Sequence, residues 1–68
     1  MDWPAEEKPR QAAEALFAEL SEVPINERKK AFMKACLKWH PDKNLEDEDT
    51  ATEVFQFLQS LKEWYLGE

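Results

Sequence analysis

Pro24 and Pro41 divide this chain of 68 residues into three stretches, each long enough for one helix. Proline cannot sit inside a helix without loss of a hydrogen bond, and it pushes the residue before it, here Val23 or His40, toward an extended backbone. Within each stretch the apolar residues recur at helical spacing. The chain holds one glycine, and a fold built of many tight turns needs more. The pattern predicts an all-α domain of three helices in series.

The first helix is expected from about Pro9 to Glu22, with Pro9 at a first helical position and Ala12, Ala13, Leu16, Phe17 and Leu20 on one side. Residues 1–8 read as a flexible arm from which Trp3 can dock back, and 9–68 as the domain. The second helix is expected from Asn26, a good N-cap, to about Trp39. Ala31, Phe32, Ala35, Cys36 and Trp39 share its apolar face. The third is expected from Thr50 to about residue 66. Thr50 and Glu53 have the spacing of a capping box, and Gly67 suits a C-terminal stop. Its core face holds Ala51, Val54, Phe55, Leu58, Leu61 and Tyr65, while Phe57 and Trp64 lie off that stripe. The predicted shared core is Leu16, Leu20, Phe32, Ala35, Cys36, Trp39, Phe55 and Leu58.

A core this small supplies only about 3–5 kcal/mol, which argues against a self-contained enzyme with a deep pocket. One cysteine, Cys36, cannot form a disulfide framework. No apolar run reaches the ~18 residues of a membrane span, and no secretory leader opens the chain. A reduced cytoplasmic or nuclear setting and a monomeric state are the expectations.

Charge is unevenly spread over the net −6. Arg28 to Lys43 holds six basic residues and one acid, a net +5, and the remaining three bases and fourteen acids leave −11. Lys30, Lys34 and Lys38 form a stripe on the second helix, beside Met33 and Leu37. Such a basic element on an acidic body suits an acidic protein partner. Nucleic acid is disfavoured, because the acidic remainder repels phosphates. Cys36 and His40 are too few for a structural zinc site, which takes four ligands. The acids at 46–49 lack the spacing of a calcium loop. No metal, cofactor or small-molecule substrate is expected.

Between the second and third helices runs a loop of roughly ten residues, His40 to Asp49, longer than the ~2–8 usual between helices. It opens Trp39-His40-Pro41-Asp42-Lys43-Asn44. Here the chain resembles the J-domain of the DnaJ, or heat-shock-40, co-chaperone family, whose signature is His-Pro-Asp between two antiparallel helices. The basic helix with Phe32 and Trp39 before the tripeptide, Lys43-Asn44 after it, and Phe55, Leu58 and Leu61 beyond are similar to that family over roughly residues 12–66.

The resemblance implies an antiparallel pair, about 26–39 and 50–66, joined by the His-Pro-Asp loop with the first helix packed across it. It implies that the loop and the second helix dock on the ATPase domain of a seventy-kilodalton heat-shock chaperone and stimulate its ATP hydrolysis. His40, Pro41, Asp42, Lys29, Lys34, Lys38 and Lys43 are the implied partner-binding residues, with Met33 standing where the family is often basic. Other departures are Leu20-Ser21-Glu22-Val23 in place of Leu-Gly-Val and a fourth helix that is missing or truncated. The alternative is a J-like module that holds a protein partner without stimulating a chaperone.

Overall fold

The computed structural model describes residues 3–67, and the expectations for Met1, Asp2 and Glu68 lie outside them. Three helices form, α1 (Glu7–Ser21), α2 (Arg28–Lys38) and α3 (Glu48–Leu66), with no strand among the described residues. Short 3₁₀ turns at Ile25–Glu27, Pro41–Lys43 and Leu45–Asp47 connect them.

Each helix begins at a different residue from the one its local signals suggest. α1 starts at Glu7, so Glu7 and Lys8 belong to the helix rather than to an arm, and Pro9 is its third residue. The first four amides of a helix have no internal acceptor, so Pro9 costs nothing there. Asn26 is not an N-cap. The amide of Glu27 donates to the Pro24 carbonyl at 2.9 Å, which winds 25–27 into a tight turn and delays α2 to Arg28. The Thr50–Glu53 capping box does not form. Asp47 is the N-cap of α3, accepting from the Thr50 amide at 3.3 Å, and the Lys8 ammonium holds its carboxylate. That pairing holds Asp47 below the usual carboxylate range. At the other end Gly67 takes a left-handed φ of 72° and donates to the Glu63 carbonyl, the expected stop.

Side-chain pairs give the topology. Phe32, early in α2, meets Tyr65, late in α3, with ring centroids 6.2 Å apart. His40, just past α2, meets Phe55, early in α3, at 5.3 Å. α2 and α3 are therefore antiparallel. Lys8 pairs with Asp47 and Leu20 with Tyr65, so α1 lies along α3 in the same direction.

α3 is thus covered on two sides. Leu16, Leu20, Phe32, Ala35 and Leu58 are buried as expected, and Ala51, Val54, Leu61 and Tyr65 join them. Three expectations shift. Cys36, Trp39 and Phe55 are only half-buried, because each sits at the margin of the α2–α3 seam. Phe57, placed off the core stripe by periodicity, is completely buried. Phe17 and Trp3 close over it, with Trp3 4.6 Å and Phe17 6.5 Å from its ring centroid. Trp3 therefore docks back onto the helices.

Candidate functional site: the His40–Asp42 turn and the α2 surface

His40 has the extended backbone that a following proline requires, φ −65° and ψ 132°. It caps the turn Pro41–Lys43 with its own side chain, Nδ1 accepting from the Asp42 amide at 3.2 Å. An accepting Nδ1 carries no proton, so in this geometry the ring proton sits on Nε2. The Lys43 amide closes the turn on the His40 carbonyl at 2.9 Å. Phe55 meets the imidazole edge-on from α3. Pro41 is half-buried, while the Asp42 carboxylate is 90% exposed and lies 3.9 Å from Nδ1. The turn is held from behind, and its acid faces solvent.

Asn44 locks this arrangement to α2. Its Nδ2 donates to the Lys38 carbonyl at 2.8 Å and to the His40 carbonyl at 2.9 Å. The first of these is a carbonyl at the open end of α2, which has no acceptor role left inside the helix. Asn44 was legible only as part of the family pattern, and Phe55 only as a core-face residue of the third helix and part of that pattern. Their work in holding His40 depends on contacts that spacing does not reveal.

The α2 surface is divided into two flanks. Lys29, Met33 and Leu37 border a shallow groove of about 550 Å³ against α3, floored by Phe32 and Cys36 of α2 and closed by Gln59, Lys62 and Leu66 of α3. Met33 and Leu37 are 58% and 59% exposed. Burial pushes the Cys36 thiol up, with Gln59 and Lys62 opposing. On the other flank Lys34 and Lys38 line a second groove against α1, facing Glu19 and Glu22. Lys38 also lies 6.0 Å from the Trp39 ring centroid. Lys43 is exposed in the turn itself. The eight residues singled out from sequence thus occupy one end and two sides of a single helix, and Lys62 and Gln59 of α3 add to the surface. Among the described residues no group of three His, Cys, Asp or Glu side chains converges in a way that could hold a metal ion.

The family model described as DnaJ domain matches residues 24–64, more than half of the chain. The chain belongs to the DnaJ-domain family. The matched span of this J-domain takes in the turn before α2, α2, the His40–Asp42 loop and most of α3, and leaves α1 outside. Human sacsin is 55% identical over 38 residues, covering 56% of this chain and 1% of that protein. DnaJ homolog subfamily C member 21 is 53% identical in zebrafish (Danio rerio) over 32 residues, covering 47% of the chain and 6% of the relative. The human form is 53% identical over 34 residues, covering 50% and 6%. The chain spans only these small fractions of its curated relatives. No solved structure matches it. A DnaJ domain is a co-chaperone-type module.

Proposed function

We propose that this J-domain docks, as a monomer, through α2 and the His40–Asp42 turn on the ATPase domain of a seventy-kilodalton heat-shock chaperone and stimulates its ATP hydrolysis. The observation that carries the reading is the turn itself. A proline, an imidazole capping its own loop and an Asn44 clamp present the Asp42 carboxylate to solvent at a set position. A carboxylate so presented accepts a guanidinium fork, and such charge-assisted pairs are the strong ones. Lys29, Lys34 and Lys38 steer an acidic partner surface toward it. Water cleaves the terminal phosphoanhydride bond of ATP within the chaperone, giving ADP and phosphate. The J-domain supplies differential binding, favouring the chaperone conformation that hydrolyses.

A second reading, a J-like module that holds a protein without stimulating it, draws on the exposed Met33 and Leu37. A single-turnover ATPase measurement with a heat-shock chaperone separates the two. Stimulation by the wild type that His40→Gln and Asp42→Asn abolish, with the helical melting curve unchanged, supports the co-chaperone reading. Binding without stimulation supports the module.

A further inference from the structure

The face between α1 and α3 carries an aromatic row whose exposed end, Trp64, neither the core nor the His40–Asp42 turn accounts for. Trp64 stacks on Phe17 at 5.8 Å with an interplanar angle of 17°, yet remains 60% exposed. Trp3, 37% exposed, continues the row on the far side of Phe17 at 5.6 Å. Exposed aromatics gathered into one patch mark interaction sites more often than scattered ones do. On α3 Trp64 is two residues from Lys62, which places the row roughly 160° around the helix from the groove against α2. Lys29 and Leu66 line both that groove and the cavity beside Trp64.

The charge around the row is mostly negative, with Arg28 and Lys29 beside Trp64 at its α2 end. Glu6, Asp49 and Glu53 line a cleft of about 240 Å³ at the end of the α1–α3 seam nearest Trp3. Glu63 adjoins Trp64, and Glu14 lies one turn before Phe17. Of the bases nearby, Lys8 pairs with Asp47, Arg10 with Glu14, and Arg28 donates to the Tyr65 carbonyl, while Lys29 lines the cavity beside Trp64. Among the described residues no ion pair neutralises Glu6, Asp49, Glu53 or Glu63.

We propose that the Trp3–Phe17–Trp64 face is a second docking surface, and that it takes a basic amphipathic segment of another protein. Its apolar side chains lie on the aromatic row. Its lysine or arginine side chains reach the Glu6–Asp49–Glu53 cleft and Glu63, and a cation over Trp64 gains a further attraction from the ring face. The occupant is basic because the unpaired carboxylates repel an acidic segment. The row lies on another side of α3 from the groove against α2, and its test uses no chaperone.

The full chain is titrated with a Lys/Leu amphipathic peptide and with its Glu/Leu counterpart, following backbone amides and tryptophan indole N–H signals by NMR. Saturable binding of the basic peptide alone is expected, with the Trp3 and Trp64 indoles shifting and the Trp39 indole still. Trp64→Ser and Glu63→Lys, both at exposed positions, should each weaken it about tenfold or more, and Lys34→Glu should not. Shifts centred on α2, or unchanged affinity in both α3 variants, overturn the proposal. So does a dimer of the free protein, seen by sedimentation, that Trp64→Ser dissociates, since the face then belongs to a second copy.

Discussion

The Tyr65 hydroxyl donates to the Leu20 carbonyl across 2.6 Å, joining the last turn of α3 to the last turn of α1. The same residue receives α2. The Arg28 guanidinium lies 4.9 Å from its ring centroid and donates to its carbonyl at 3.3 Å. One side chain near the end of the chain thus gathers all three helices, at the end of the molecule opposite the His40–Asp42 turn.

Tyr65→Phe should keep the fold and remove one buried hydrogen bond, a loss of about 0.5–1.5 kcal/mol. The Leu20 carbonyl still accepts from the Val23 amide, which keeps the cost at that level. Thermal denaturation should show a fall of roughly 4–8 °C per kcal/mol. The wild type should also lose stability in alkali. Burial pushes the Tyr65 hydroxyl up, with Arg28 opposing. A raised folded value means a contribution complete below the ordinary tyrosine pKa of about 10 and lost as pH rises through it toward the folded value. Tyr65→Phe should flatten that alkaline decline, and an equal decline in both proteins counts against it.

Phe57→Ala should cost about 3–5 kcal/mol, comparable with the whole stability of so small a domain, and circular dichroism should find it largely unfolded at 25 °C. Phe57→Leu keeps more of the volume and should remain folded with a lowered melting temperature. Phe55→Ala, at a half-buried position, should be milder in denaturant than Phe57→Ala and should free the His40 ring, visible as sharper, shifted imidazole signals by NMR.

Asn44→Ala should remove both clamps on the Lys38 and His40 carbonyls and cost about 1 kcal/mol. Its larger effect should fall on chaperone stimulation, through a loosened turn, although Asn44 itself need not touch the partner. Asn44→Asp should behave alike, because a carboxylate has no hydrogen to donate. Full ATPase stimulation by either variant would show that the turn holds its shape without the clamp.

Lys34→Glu should slow association with the chaperone more than it hastens dissociation, as rim charges do. Raising salt should weaken wild-type binding, since screening acts over ~8 Å at physiological ionic strength. Met33→Lys should strengthen binding to a generic heat-shock chaperone by restoring a charge common in the family. Stopped-flow binding separates these effects, and weaker binding by Met33→Lys would identify Met33 as an apolar contact to a dedicated partner.

Much of this protein follows from local rules. Pro24 and Pro41 break helices whatever surrounds them, and Gly67 stops one because a left-handed residue costs glycine little. Helical spacing alone places Leu16, Leu20, Phe32 and Leu58 inside, and the order Trp39-His40-Pro41-Asp42-Lys43-Asn44 names the turn. Other features depend on residues far apart in the chain. Asp47 rather than Thr50 caps α3, with Lys8 from α1 pairing with it. Periodicity gives the angle of each side chain around its helix, but not the width of the arc that neighbours cover. α3 is flanked by α1 on one side and α2 on the other, so its buried arc extends to Phe57, while Phe55 is left at the edge to support His40. The same placement divides one basic helix into two flanks, because α1 and α3 rise on either side of α2 and a lysine's neighbours are set by the groove it borders.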